Sequence, residues 1–154
     1  MIRLRPLIIS LLITLGGGAL VAFFTRNYMD TYSNIIQPNL APPAAIFPIV
    51  WTVLYILLGI SAYMVYESKF SLKTKALVVY GAQLLLNFIW PFIFFSGDMF
   101  LLAFIVLMIM WALSLWMVAL FYQIKPLAAY LQIPYILWLT FAAYLNLSIY
   151  LLNL

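Results

Sequence analysis

A chain of 154 residues that is 69% apolar and only 6% charged cannot fold as a water-soluble domain, which leaves much of its surface in water and carries roughly 25% charged residues. The net charge of +4 comes from Lys and Arg scattered between apolar stretches, so it makes no nucleic-acid-binding face. With no Cys, no His and only Asp30, Glu67 and Asp98 as acids, disulfide, thiolate and zinc chemistry and a Ser-His-Asp triad are excluded, and a paired-carboxylate or carboxylate-metal site has almost no material to work with.

Five apolar runs follow one another: Leu7–Phe24, Ala44–Tyr66, Lys75–Phe95, Met99–Tyr122 and Leu127–Leu152. Each meets or approaches the ~20 residues needed to span a bilayer as a helix. The expected fold class is therefore an all-α integral membrane protein, a five-transmembrane-helix bundle forming a single domain over residues 1–154. Arg3 and Arg5 ahead of the first run imitate a signal peptide, but no small-residue cleavage site follows, and the run is read as a retained first helix. Glu67-Ser68-Lys69, Ser96-Gly97-Asp98 and Gln123-Ile124-Lys125-Pro126 make short connections, which allow only antiparallel neighbours.

The first connection, Thr25 to Pro43, is the exception in length. It is either a plain linker or a lid, and long ordered loops in small domains are often functional. Its apolar handles Tyr32, Ile35, Ile36 and Leu40 favour the lid. Pro42 and Pro43 suit the start of the second helix, where a missing N–H costs nothing. Five spans put Arg3, Arg5, Lys69, Lys73, Lys75 and Lys125 on one side and Arg26 alone on the other. By the positive-inside rule the N-terminus is cytoplasmic, for a bacterial plasma membrane, and the first loop faces out.

No acid lies mid-span, which argues against a proton-coupled pump. The mid-span polar groups are uncharged. Gln83 and Asn87 stand four apart on the third helix and share a face that Trp90 continues; they are interhelical hydrogen-bonding groups or part of a pocket. Phe47, Trp51 and Tyr55 recur every four residues on the second helix, and Trp138, Ala142 and Leu145 follow helical spacing on the fifth. Such stripes serve as packing or as ligand walls. Gly18 and Ala22 on the first helix permit close packing or leave space for a flat ligand. Tyr28, Tyr66 and Tyr150 fit interfacial belts, and Trp111 and Trp116 face lipid or a partner subunit.

Three runs in order resemble the TspO/MBR family, the translocator proteins once called peripheral benzodiazepine receptors. They are PNLAPPAAIFPIVWTVLY (Pro38 to Tyr55), AQLLLNFIWPFIFF (Ala82 to Phe95) and PYILWLTFAAYLN (Pro134 to Asn146). The resemblance implies a homodimer of five-helix bundles, with a pocket between the first, second, third and fifth helices closed by the first loop. It implies porphyrin binding, and binding of isoquinoline carboxamide or benzodiazepine-type compounds. By the same carry-over Trp51, Asn87, Trp90, Trp138, Ala142 and Leu145 line the pocket, with Tyr32, Pro42 and Phe47 from the lid and the second-helix entrance. Where animal members carry an aromatic and an Arg in a proposed cholesterol motif, this chain has Leu147 and Leu151, which argues against strong sterol binding.

The expected function is a membrane receptor for protoporphyrin and drug-like aromatic ligands, with a passive carrier of tetrapyrrole or lipid as the alternative. Its partners are then membrane lipid, the ligand and a second copy, and no nucleic acid. No cofactor is obligatory and no metal site is expected, since without His or Cys there is no good axial haem ligand; a porphyrin enters as ligand or substrate. Light-driven porphyrin breakdown needs no acid–base pair, and Trp51 and Trp138 are its candidate redox residues, because indoles are easily oxidised.

Overall fold

In a lipid solvent every backbone N–H and C=O has to be paired inside the chain, so apolar runs of this length become helices. The computed structural model describes residues 3–28, 34–95 and 99–154. It contains five helices long and apolar enough to cross a membrane: α1 (Leu4–Thr25), α2 (Ile46–Tyr66), α3 (Lys73–Phe95), α4 (Phe100–Ile124) and α5 (Pro126–Leu152). No strand occurs among the described residues. The all-helical, multi-pass architecture expected from the sequence is thus the one observed. The Ser96-Gly97-Asp98 connection and Tyr32 lie outside the described residues.

Two details differ from expectation. Pro42 and Pro43 do not start α2. The Pro43 carbonyl instead accepts from the Ile46 N–H at 2.9 Å in a preceding turn, and the proline in the first helical turn is Pro48, which has no intrahelical acceptor to miss. The fifth span is also two segments, Pro126–Tyr130 and Ile133–Leu152, with a turn at Leu131-Gln132. Pro134 has no N–H for the Tyr130 carbonyl, so a continuous helix loses a hydrogen bond there. The turn is held instead by Gln132, whose Nε2 donates to the Leu57 carbonyl of α2 at 3.2 Å.

The two ends of the bundle sort as five antiparallel spans require. At one end the Arg3 N–H donates to the Tyr63 hydroxyl at 3.0 Å, and Arg3 pairs with Glu67 at 3.6 Å. At the other end Asn153, just past α5, accepts from the Ile36 N–H at 3.0 Å and donates to the Ile36 carbonyl at 2.9 Å. This backbone clamp fastens the first connection to the end of α5. Ile35 adds an apolar anchor, packing with Phe94, Phe100 and Ile149, whereas Ile36 and Leu40 leave their side chains exposed.

α3 packs along α4, and α4 along the long segment of α5; α1 lies against α2 and α3. The α1–α2 contact is close because Gly59 has no side chain. A Cβ there would stand 2.9 Å from Leu11 Cδ2 and from Thr14 Oγ1. Ser10 Oγ donates to the Gly59 carbonyl at 2.7 Å, beside a π-helical turn at Leu12–Gly16. The outer faces stay apolar: Leu20, Phe23 and Phe24 on α1 and Leu101, Leu102, Ile105 and Ile109 on α4 are exposed, a surface that suits lipid and not water. Trp116 is exposed with the Lys75 ammonium 5.4 Å from its ring centroid, and Lys73 stands likewise over Tyr66; both pairs form an aromatic–basic belt at one end. Trp111 is not purely lipid-facing, since its Nε1 donates to Thr140 Oγ1 of α5 at 3.0 Å.

Candidate functional site

The backbones of α2 and the long segment of α5 stay apart, and between them, flanked by α1 and α3, is a cavity of about 310 Å³. It occupies the half of the bundle nearest the first connection. Its walls come from the end of α1 (Gly18, Val21, Ala22, Thr25, with Arg26 beyond), the start of α2 (Phe47, Pro48, Trp51, Tyr55), the end of α3 (Asn87, Trp90, Pro91, Phe94, Phe95) and the end of α5 (Ala142, Leu145, Asn146, Ile149). α4 contributes nothing to it.

Local structure explains the shape. Gly18 lets α1 come down onto the Tyr55 ring, where a Cβ would sit 2.3 Å from Cε2; the glycine is a packing necessity and not merely spare room. The Tyr55 ring in turn stacks on Trp51, with centroids 5.5 Å apart, so the α2 stripe forms a continuous aromatic wall. Pro91 inside α3 has no N–H to give the Asn87 carbonyl, and this loosens the helix where it borders the cavity. Opposite, Trp90 stacks on Phe94 at 4.9 Å.

The floor is a buried hydrogen-bond chain. Tyr55 Oη donates to Asn87 Oδ1 at 2.7 Å, Asn87 Nδ2 donates to Tyr135 Oη at 3.0 Å, and Tyr135 Oη donates to Gln83 Oε1 at 2.7 Å. Ser114 Oγ of α4 lies 3.4 Å from the same Gln83 oxygen and donates to the Met110 carbonyl at 2.8 Å. Asn87, Gln83, Tyr135 and Ser114 are all essentially inaccessible, and the chain joins α2, α3, α4 and α5. Of the two readings open for Gln83 and Asn87, Gln83 is an interhelical hydrogen-bonding group. Asn87 touches the cavity, yet its amide oxygen and nitrogen are engaged by protein, so it is floor before it is ligand contact.

A second pair sits higher. Trp90 Nε1 donates to Asn146 Oδ1 at 3.2 Å, and Asn146 Nδ2 donates to the Phe100 carbonyl at 2.9 Å. Thr25 Oγ1 is used by the Val21 carbonyl at 2.8 Å. The cavity is therefore apolar in effect: most of its polar side chains spend their donors on the protein.

Gly18, Ala22, Phe47, Trp51, Tyr55, Asn87, Trp90, Ala142 and Leu145, singled out from the sequence, all border this cavity. Two do not. Trp138 stands one ring back, packed edge-on against Phe47 at 5.9 Å and tilted against Phe141 at 5.7 Å; Phe47 takes the place at the wall. Pro42 precedes the turn into α2, and none of residues 34–45 lies among the wall residues. Tyr32 is outside the described residues. Val21, Arg26, Phe94, Asn146 and Ile149 escaped the sequence reading; for all but Arg26 helical spacing could have found them, since Ala142, Leu145, Asn146 and Ile149 recur every three or four residues.

The TspO/MBR family model matches residues 9–152. The chain belongs to that family. It is 34% identical to the tryptophan-rich protein TspO of Archaeoglobus fulgidus, over 98% of this chain and 99% of that one. It is 35% identical to the tryptophan-rich sensory protein of Cereibacter sphaeroides, over 80% of this chain and 77% of the relative. The human translocator protein is 33% identical, over 77% and 72%. As a TspO/MBR member the chain is a multi-pass integral membrane protein.

Proposed function

We propose that this TspO/MBR protein is a membrane receptor that takes flat aromatic ligands, porphyrins among them, into the cavity between α1, α2, α3 and α5. The observation that carries the reading is the wall: Phe47, Trp51, Tyr55, Trp90 and Phe94 surround about 310 Å³ in which most polar side chains already have protein partners. Pockets for small ligands run from roughly 300 to 1,000 Å³ and are mostly apolar. The volume suits a drug-sized aromatic compound as it stands. A tetrapyrrole needs more room, which a shift of Phe47 supplies; the first connection, fastened at Ile35 and Ile36 to the end of α5, serves as the lid. The basic end, with Lys73, Lys75 and Lys125, faces the cytoplasm of a bacterial plasma membrane, and the homodimer rests on the family alone.

The test is a dark fluorescence titration of the detergent-purified protein with protoporphyrin. Saturable tryptophan quenching is expected, with competition by an isoquinoline carboxamide. Quenching that stays linear with ligand would end the receptor reading.

Light extends it. Trp51 is in the wall and Trp138 is a ring behind, so illumination in air destroys bound porphyrin more slowly in Trp51→Phe than in Trp138→Phe. Equal loss in both variants and the parent, at equal occupancy, would remove any redox role for Trp51.

A further inference from the structure

We infer that Arg26 is the anchor for a carboxylate on the ligand, so that the cavity selects amphipathic anionic aromatics over their neutral counterparts. The inference rests on the receptor reading above and adds a substrate class to it.

Among the described residues Arg26 is the one charged residue bordering the cavity. It follows the last residue of α1 and begins a short 3-10 turn, at the mouth, where the apolar walls end. Its guanidinium lies 4.3 Å from the Phe23 ring centroid. With its central carbon over the ring the guanidinium keeps N–H groups for an acceptor, and two of them match a carboxylate. Stacking on Phe23 also limits the rotamers that the long side chain has to give up on binding.

The remaining donors are mostly spent. Thr25, Tyr55, Asn87, Trp90 and Asn146 each donate to a protein acceptor. Among the described residues Arg26 meets no carboxylate: the ion pair recorded there is Arg3–Glu67, at the opposite end of the bundle. A charged ligand group deeper in the cavity would meet neutral donors at best, and desolvating it there would be costly. At the mouth it finds the Arg26 cation. A flat ligand so held puts its ring system against Trp51 and Trp90 and its acid at the membrane surface. The porphyrin class with acid side chains on one edge has this polarity, as do smaller aromatic acids.

The oxyanion at Arg26 has two possible sources, the ligand's carboxylate or a lipid phosphate. We commit to the ligand. The experiment is a dark titration in phosphate-free maltoside micelles with protoporphyrin and with its dimethyl ester, for the parent protein, Arg26→Met and Arg26→Lys. The parent is expected to bind the acid about tenfold or more tightly than the ester, the scale of one charge-assisted hydrogen-bonded pair. Arg26→Met should lose that preference while binding the ester as the parent does, and Arg26→Lys should fall between them. Equal affinity of the parent for acid and ester overturns the anchor but leaves the receptor reading intact. So does an equal weakening of both ligands in Arg26→Met, the pattern of a residue that holds the mouth or a lipid. If neither ligand saturates the parent, it is the receptor reading that fails.

Discussion

The bundle has two unlike halves. Toward the basic end, α2, α3, α4 and α5 are closed by the Tyr55–Asn87–Tyr135–Gln83 hydrogen-bond chain and by Ser61 and Gln132, which bond across to the Ala128 and Leu57 carbonyls. Toward the first connection the helices part around a cavity whose surface is nearly all apolar. The difference teaches where affinity between helices comes from in lipid. Apolar side chains gain little by leaving lipid for each other, so polar groups and close backbone contacts hold helices together. Where those contacts stop, space opens for a ligand.

The largest expected effect comes from filling the open half. Ala142→Trp places an indole in the cavity and should weaken porphyrin binding by at least about tenfold, on the order of 1.4 kcal/mol, with little change in thermal midpoint. Undiminished binding would put the ligand elsewhere. Breaking the closed half should act in the opposite sense on the two readouts. Tyr135→Phe removes both the acceptor for Asn87 and the donor for Gln83, and should cost about 1–2 kcal/mol of stability. Thermal unfolding in detergent reads this directly, while ligand affinity changes less than in Ala142→Trp. A parent-like midpoint would mean that the chain contributes nothing to closure.

Gly59 comes next. A methyl there meets Leu11 and Thr14 at 2.9 Å, so Gly59→Ala should loosen α1 from α2 and cost about 1 kcal/mol, the low end for overpacking. Thermal unfolding in detergent reads the loss, and a parent-like midpoint would mean that the α1–α2 contact gives way without cost. The smallest effect is at the belt. Lys75→Ala removes a cation over exposed Trp116, and should change stability by about 0.5 kcal/mol or less.

Much of the architecture was legible because the bilayer imposes it. Apolar length fixes the spans, and the six-to-one distribution of basic residues sorts their ends as the contacts at Arg3 and Asn153 do. The α2 stripe Phe47, Trp51, Tyr55 was legible for a related reason, since a four-residue spacing names a helix face. Spacing does not name the partner across that face. Asn87 could be placed on the cavity side of α3, but its bonds to Tyr55 and Tyr135 depend on how α2 and α5 approach, which no single helix encodes. Trp138 shares its face with Ala142 and Leu145, yet Phe47 of another helix stands before it. Arg26 read as a topology signal in the sequence, and only the convergence of α1 with α2 and α3 brings it to the mouth.

The central claim is that ligand enters the open half and leaves the closed half untouched. Methyl NMR of protein labelled at alanine, titrated with protoporphyrin in the dark, tests it most directly, because a porphyrin ring shifts nearby methyl signals strongly. The account predicts large shifts at Ala22 and Ala142, which border the cavity, and none at Ala62 and Ala128, buried at the closed end. Shifts spread evenly over all four, or confined to lipid-facing alanines such as Ala112, would contradict it.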